Sequence, residues 1–331
     1  MITEPTVFVL GAGASRPYRY PTGAELRDEI LKNFRGEFSV GFSDQNAFID
    51  KWEVPVDVAQ EEAAKFVKRF DKSNMSIDIF LTRHQGNVWI SRMGKLTIIL
   101  RILAAERSHE KNGAEDEQRA WYKFLLEKLL DGLNDKDDFI KRFSNNRVTI
   151  VTFNYDRSLD YVLFDSVFNG FEAVTSDEVA EQMRHIPIVH MHGQVMYLPW
   201  QNPRAPALEY GRSVNAAGAI GQNMIENIRI AQDPYENPDH TGLVKAMAEA
   251  ERVFFLGFGY DNENLKKLGL SEIRSHATIY GTAYGLRREE IRRAKSRISR
   301  HLISHDGEPV PGVELSGEED DCMLLLRDHL P

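Results

Sequence analysis

Five short apolar runs, each stopping at a polar or glycine-containing turn, constrain the fold of this 331-residue chain most strongly. Helical patterns lie between or after the runs, notably over residues 159–168, 243–251 and 286–298. Strands that alternate with helices predict a parallel sheet with helices on both faces. The chain is therefore predicted to be an α/β protein with a Rossmann-like sheet. The predicted strands are residues 7–10, 148–153, 186–190, 253–256 and 277–280.

The stretch between the first two predicted strands has a different character. Over residues 44–145 the apolar residues follow helical spacing, as in the stripe formed by Ile90, Met93, Leu96, Leu100 and Leu103. We predict one domain over residues 1–331, with residues 44–145 as an inserted helical subdomain. Residues 199–225 are rich in Pro, Gly, Ala and Asn and are predicted to form a long loop, which in compact domains is often a functional lid.

Charge and cysteine content exclude several classes of function. The formal net charge is −9 and there is no long Lys/Arg block, so nucleic acid is not an expected partner. The single cysteine, Cys322, rules out a disulfide framework and a four-cysteine zinc site. The N-terminus does not have the pattern of a signal peptide, and no run reaches the roughly 18 apolar residues of a membrane helix. We expect a soluble, cytoplasmic protein.

The first predicted strand runs directly into the glycine-rich segment GAGAS, residues 11–15. Gly11 and Gly13 would let the backbone approach a diphosphate with its N–H groups turned toward the anion. The dinucleotide fingerprint of dehydrogenases has a third glycine where this chain has Arg16, and no ribose-binding acid stands out about 20 residues on. The segment thus favours a phosphate site over a plain turn, but not a dehydrogenase. Thr22 and Glu25 then have the spacing of a capping box and predict a helix to about residue 34.

Polar residues follow the next two predicted strands. Asn154 and Asp156 come after the second, and His190 and His192 end the third. Ligands of open parallel sheets bind beyond the carboxyl ends of strands, so these are candidate site residues. Asp156 could instead cap the next helix. The histidines could form a metal pair, but no third ligand is evident; a structural residue or, for His192, a general base is the better interpretation.

A second glycine-containing turn, GFGYD, follows the fourth predicted strand at residues 257–261. Gly257 and Gly259 could admit a ribose or a phosphate. The alternative is a simple strand-to-helix turn capped by Asp261. Gly281 and Thr282, after the fifth predicted strand, give a weaker signal of the same kind.

Taken in order, these motifs resemble those of the sirtuin superfamily and, within it, the bacterial sirtuin-like NAD hydrolases of antiphage defence. The resemblance spans nearly the whole chain and includes PTGAEL (21–26), SIDIFL (76–81) and LGFGYD (256–261). Its specific part is the Asn-Tyr-Asp segment (154–156) together with the His-Gly pair (192–193) at their spacing. The resemblance implies a sirtuin-like fold that uses NAD as a substrate.

The resemblance also implies roles for individual residues. Asn154 would orient the water or the ribose, His192 would be the general base, and Asp156 would hold the hydrogen-bond network of the pocket. Ser15 and the N–H groups around Gly11 and Gly13 would face the phosphates. The full predicted set comprises the catalytic residues Asn154, His192 and Asp156, and the binding residues Gly11, Ala12, Gly13, Ser15, Thr22, Gly257, Gly259 and Asp261, with no metal site.

Two departures narrow the expected chemistry. Protein deacetylases of the superfamily carry a four-cysteine zinc module that this chain lacks, and residues 22–24 (TGA) replace their Asp-Phe-Arg loop. The resemblance therefore implies an NAD hydrolase without zinc, with water as the acceptor, which depletes cellular NAD as a defence effector. The alternatives are ADP-ribosyl transfer or deacylation, a binding module that senses NAD or ADP-ribose, and a Rossmann oxidoreductase.

Nearly all of the chain is accounted for by this fold and its insertion, and no sensor domain is left over. We therefore expect control of the activity by a homo-oligomer or by a separately encoded sensor protein. The helices of residues 44–145 are the expected contact surface.

Overall fold

The computed structural model of this protein describes residues 1–40, 56–212, 221–229, 240–304 and 309–331. Six strands form one sheet in the order β3-β2-β1-β4-β5-β6, and every pairing is parallel. The predicted α/β fold with a Rossmann-like sheet is confirmed. The strands are β1 (Thr6–Leu10), β2 (Val148–Thr152), β3 (Ile188–His190), β4 (Arg252–Leu256), β5 (Thr278–Gly281) and β6 (Gly312–Leu315).

The sixth strand was not predicted. It lies at the edge of the sheet, where Gly312 and Glu314 are exposed and Val313 and Leu315 are only half-buried. A strand in that position lacks the continuous apolar run that marks the buried strands of a parallel sheet.

The strand order reverses at β1. Strands β2 and β3 are added on one side of β1, and β4, β5 and β6 on the other. Leu10 pairs with both Thr152 and Leu256, so β1, β2 and β4 end at the same level. Ligands of open α/β sheets bind beyond such a reversal. The turns that follow these three strands therefore meet at one edge of the sheet.

Helices cover both faces of the sheet, as predicted. The alternation of side chains along β1 sends Phe8 and Leu10 into one cluster of buried residues and Val7 and Val9 into another. The described helices are α1 (Ala12–Ser15), α2 (Gly23–Val40), α3 (Val56–Ser73), α4 (Ile77–Arg83), α5 (Val88–Asn112), α6 (Trp121–Leu130), α7 (Lys136–Arg142), α8 (Ser158–Gly170), α9 (Ser176–Met183), α10 (Gly221–Asn227), α11 (His240–Glu249), α12 (Asn262–Lys266), α13 (Arg288–Ser299) and α14 (Cys322–His329).

The predicted insertion is helical from residue 56 onward, over α3 to α7. Residues 44–55 of it lie outside the described residues. The apolar stripe of α5, from Ile90 to Leu103, is buried in the same cluster as Phe8 and Leu10. These helices therefore share a core with one face of the sheet. Within the predicted loop 199–225, residues 221–225 belong to α10, and residues 213–220 are not among those described.

None of the helices in the described ranges is both long enough and apolar enough to cross a bilayer.

Candidate functional site

The two glycine turns pack directly against each other where β1 and β4 end. The N–H of Gly11 donates to the carbonyl oxygen of Leu256 at 3.0 Å, and that of Gly13 donates to Gly257 at 3.0 Å. Gly257 has a φ of +55°, and a Cβ there would lie 2.0 Å from the nitrogen of Ala14. Only glycine allows this approach. The glycines thus join the two halves of the sheet edge.

This packing bears on one expectation. The N–H groups around Gly11 and Gly13 are predicted to face the phosphates, and those of Gly11 and Gly13 themselves are engaged by carbonyl oxygens at the end of β4. An N–H that already has a buried acceptor is not free for a ligand. In the described part of the chain, the N–H groups of Ala12 and Gly259 donate no hydrogen bond. Both residues therefore offer a backbone donor at the junction.

A small cavity of about 140 Å³ lies beyond the ends of β1 and β2. We call it the inner cavity. All three residues predicted to be catalytic line it, although they come from turns after different strands. Its predicted lining residues are Gly11, Ala12, Ser15, Asn154, Asp156, His192 and Gly259.

The amide of Asn154 has a fixed orientation. Its Nδ2 donates to the carbonyl oxygen of Gly11 at 3.0 Å and to Oγ of Ser15 at 2.9 Å. A carbonyl oxygen can only accept, so the atom that faces Gly11 must be the NH₂ group. Both of its protons are therefore used within the protein. The group of Asn154 that remains for a ligand is its carbonyl oxygen, which can hold a water or face a developing positive charge.

Asp156 belongs to a buried hydrogen-bond network. Its Oδ1 accepts from both the N–H, at 3.1 Å, and the hydroxyl of Ser158. The Ser158 hydroxyl contacts Tyr122 Oη at 2.8 Å, and Tyr122 in turn lies 3.4 Å from Ser15 Oγ, which Asn154 contacts. Burial raises the pKa of the Asp156 carboxyl, although the hydrogen bonds from Ser158 oppose this. Asp156 thus joins the first residue of α8 to this network, although the N-cap position of α8 is Arg157.

The two histidines face different groups. His192 is buried with its ring edge-on to Phe153, and its Nε2 has no hydrogen-bond partner among the described residues. Burial lowers the pKa of His192, which favours the neutral imidazole. His190 Nε2 instead lies 3.3 Å from both carboxylate oxygens of Asp160. Burial lowers the pKa of His190, but the charge and the hydrogen bond of Asp160, together with the charge of Asp156 and a backbone hydrogen bond, outweigh burial and the pKa is raised.

A metal pair was the less favoured interpretation of these histidines, and their rings contact different groups. Among the described residues, no group of three or more His, Cys, Asp or Glu side chains is arranged to hold a metal ion. His190 with its carboxylate partner is a structural ion pair, and His192 is the candidate base.

Two further residues of the inner cavity were not predicted to have a role. Tyr155 Oη donates to Asp78 Oδ1 at 2.5 Å, and both residues line the cavity. Asp78 lies in the SIDIFL segment, one residue after the buried Ile77, at the start of α4. The sequence signal that pointed to Asp78 is a carboxylate next to a buried position of a helix. The Asp78 side chain places a negative charge beside the cavity that His192 lines.

A larger cavity of about 960 Å³ adjoins the inner one and shares Ala12, Gly23, Phe258 and Gly259 with it. We call it the outer cavity. The predicted residues Gly13, Thr22 and Gly257 line it. Thr22 and Glu25 form the predicted capping box, since Glu25 Oε2 accepts from both the N–H and the hydroxyl of Thr22 at 2.8 Å. The two cavities together have the size range of a cofactor site.

The charges of the outer cavity are arranged around two arginines. Arg16 lies between Glu25, at 2.9 Å, and Glu115. Arg119 lies 3.3 Å from Asp321 and 3.4 Å from Asp116. All of these side chains line the cavity. An entering diphosphate would therefore have to replace carboxylates as the partner of these guanidinium groups.

Asp261 is the exception among the predicted binding residues. Its side chain accepts from the N–H of Glu263 at 2.9 Å and of Asn264 at 3.4 Å, and so caps α12. It lines neither the inner nor the outer cavity, whereas Asn264 lines the inner one. Asp261 is therefore a helix cap, which was the alternative interpretation of this residue. The turn directs its carboxylate toward the start of α12.

All the predicted site residues except Asp261 line one of the two adjoining cavities. A scan against protein-family models and a search of curated proteins both found no match for this chain. Any assignment of chemistry therefore depends on the geometry of the two cavities.

Proposed function

We propose that this chain hydrolyses NAD at the nicotinamide–ribose bond and releases nicotinamide and ADP-ribose. The observation that carries the proposal is a small cavity lined by Asn154 and His192 that opens into a larger one where the strand order reverses. NAD has two parts joined by a diphosphate, and this arrangement offers a place for each. The nicotinamide ribose would occupy the inner cavity, and the adenosine part the outer one. The N–H groups of Ala12 and Gly259 would lie beside the diphosphate.

The polar groups of the inner cavity suit this reaction. Nicotinamide leaves with the electron pair of the C–N bond as a neutral molecule, and positive charge develops on the ribose. Such a step needs an electron-rich wall more than an acid. The carbonyl oxygen of Asn154 and the side chains of Asp78 and Asp156 supply that wall. Water then forms the new bond to the ribose carbon, and its proton goes to His192 Nε2.

The lowered pKa of His192 leads to a prediction about pH. A general base must be neutral, and burial favours the neutral ring, so the base form persists to lower pH than for an exposed histidine. We expect the acidic limb of the pH profile of kcat/KM for NAD to have its midpoint below 6.5. Initial rates of nicotinamide release across the acidic range measure it. A midpoint above 6.5 would contradict the assignment of His192 as the base.

The primary test is nicotinamide release from NAD by the full chain. We expect release by the wild type and a loss of about a hundredfold in Asn154→Ala, because the attacking water is no longer held. Asn169→Ala is the matched control, since Asn169 is exposed at the end of α8. Free ADP-ribose in equal amount to nicotinamide distinguishes hydrolysis from transfer or deacylation.

Direct binding separates the proposal from its main rival. A module that only senses NAD or ADP-ribose would bind ADP-ribose in calorimetry and release no nicotinamide, alone or with any added partner protein. Absence of both binding and release would overturn the assignment of the two cavities to NAD.

The arginine–carboxylate pairs of the outer cavity lead to a second prediction. In Glu115→Gln, Arg16 loses one of its two carboxylate partners and is more available to a diphosphate. Because the pair is about half exposed, we expect a modest gain, about two- to fivefold tighter ADP-ribose binding, with kcat unchanged. Glu117→Gln, which removes the same charge from the same cavity without touching Arg16, is the control. Weaker binding in Glu115→Gln would contradict a diphosphate at Arg16.

We further propose that assembly or a separate partner controls the activity through the helices of residues 56–145. Three exposed apolar side chains, Val58, Ile79 and Val88, lie on α3, α4 and α5 of this region. We expect light scattering to give a particle larger than the 37.9 kDa chain, and Val88→Glu to shift it toward one chain. Val310→Glu is the control, since Val310 is exposed outside these helices. A fully active single chain without any partner would refute this proposal.

A further inference from the structure

A third cavity, of about 480 Å³, lies apart from the inner and outer cavities and shares none of their lining residues. We call it the aromatic cavity. Two pairs of stacked rings form much of its wall. Tyr161 of α8 stacks on Tyr210 with 4.0 Å between ring centroids, and Phe164 of α8 stacks on Trp200 at 4.9 Å. The rings of each pair are nearly parallel, at 2° and 7°.

The charged residues around these rings are mainly acidic. The carboxylates are Asp165, Asp177, Glu181 and Glu209, and the basic residue in the lining is Arg184. Arg184 is bound to Glu181, and Glu209 is bound to Arg212. Within the described ranges, Asp165 and Asp177 take part in no ion pair. The cavity therefore keeps uncompensated negative charge next to aromatic rings.

Aromatic rings next to free carboxylates select one kind of ligand. The face of an aromatic ring attracts a cation, and a carboxylate adds to that attraction, whereas the same cavity repels anions. The volume is in the range of small-molecule sites. In addition, the indole Nε1 of Trp200 is buried without a hydrogen-bond partner among the described residues.

The aromatic cavity is joined to the inner cavity by hydrogen bonds. Tyr210 Oη lies 2.7 Å from Tyr20 Oη and 2.6 Å from His109 Nδ1. Burial lowers the pKa of His109 to about 4, so its ring is neutral at pH 7 and its Nδ1 can accept from Tyr210. The Tyr210 oxygen then accepts from Tyr20, which lines the inner cavity. A change at Tyr210 thus reaches a wall of the inner cavity through a single hydrogen bond.

We propose that the aromatic cavity binds a small organic cation and that its occupancy is transmitted to the inner cavity through the Tyr210–Tyr20 hydrogen bond. The cation site stands independently of the proposed NAD hydrolysis. The transmission would regulate that activity, and in this respect it rests on the proposed function.

Calorimetry with the full chain tests the cation site. The probes are choline, agmatine and 3,3-dimethylbutan-1-ol, which has the shape of choline without its charge. We expect choline or agmatine to bind and the neutral alcohol not to bind. Comparison of agmatine with N-acetyl-arginine amide distinguishes two sources of the cation. One is a free guanidinium compound, and the other is the arginine side chain of a partner protein. Equal binding of choline and the neutral alcohol, or no binding of any cation, would overturn the site.

Variants of the free carboxylates locate the binding. The double variant Asp165→Asn with Asp177→Asn keeps the size of both side chains and removes their charge. We expect its affinity for the cation to fall about tenfold. Asp57→Asn, at an exposed position on α3, should bind as tightly as the wild type. Unchanged affinity in the double variant would overturn the role of the aromatic cavity.

Hydrogen exchange tests the transmission without any NAD turnover. We expect a bound cation to change the exchange of residues 15–20 in the wild type. Tyr210→Phe keeps the ring but removes the hydroxyl that contacts Tyr20. This variant should still bind the cation and should lose the change at residues 15–20. The same change in Tyr210→Phe, or none in the wild type, would overturn the transmission, whether or not the chain hydrolyses NAD.

Discussion

Replacing His192 with alanine is expected to lower kcat for nicotinamide release by about 10²- to 10⁴-fold, the usual contribution of a general base. His192 lines the inner cavity beside Asn154, and no residue of the described ranges forms a hydrogen bond to its Nε2. Burial favours its neutral form, so the base is ready at pH 7. Without the ring, the water held by Asn154 has no group to take its proton, and the loss should be in kcat more than in KM.

The control for this substitution is His185→Ala, at an exposed position before β3, which should keep wild-type kcat. ADP-ribose affinity of His192→Ala should change little, because the adenosine part and the diphosphate, which form most of that ligand, would lie away from the ring and only the terminal ribose would lie beside it. A His192→Ala enzyme that retains activity within a few-fold would show that another group takes the proton.

Replacing Arg157 with methionine is expected to lower the free energy of unfolding by about 3–5 kcal/mol, since it leaves a buried charge without its partner. Arg157 and Glu106 are fully buried and form two hydrogen bonds, at 2.7 and 3.1 Å. The guanidinium also donates to carbonyl oxygens of the segment that precedes residue 212, including Tyr197 and Glu209, both at 3.1 Å. One side chain therefore joins α5 to a segment without regular secondary structure.

A double variant shows how much of this loss comes from the unpaired carboxylate. In Arg157→Met with Glu106→Met neither charge of this pair remains, and we expect a smaller loss than in Arg157→Met alone. Arg142→Met, which breaks a partly exposed pair with Asp138, should cost about 1 kcal/mol or less. Denaturant unfolding measures all three. A cost below about 1 kcal/mol for Arg157→Met would contradict the stabilising role of the buried pair.

The buried strands and the turns after them were predictable because a parallel sheet marks both in the sequence. The prediction of residues 253–256 matches Arg252–Leu256 closely, since a strand buried on both faces must be apolar and must stop at a turn. The convergence of Asn154 and His192 at one sheet edge followed from the same rule. Strand β6 is half-exposed, so its sequence has no continuous apolar run, and it was not predicted.

Contacts made by the insertion were not predictable. The hydroxyl of Tyr122 reaches Ser158, and Tyr155 reaches Asp78, through pairings across long sequence separations that no local pattern encodes. Which N–H groups around Gly11 and Gly13 stay free was not predictable for a related reason. A glycine segment has the same sequence whether it meets a phosphate or another turn, and here the β4 turn engages both N–H groups. Helix capping by Asp261 was a local pattern and was correctly considered as an alternative.

The strand order has a consequence for a chain that is still on the ribosome. The inner cavity is lined by residues from Gly11 to Asn264, and the glycine turn after β1 packs against the turn after β4, which is synthesised much later. Cys322 and Asp321, which line the outer cavity, leave the ribosome after every other residue of the site. Synthesis proceeds at about 5–20 residues per second from the N-terminus, so unfinished chains spend many seconds without a complete pocket. Under the proposed function, a nascent chain is harmless to the NAD of the cell that makes it.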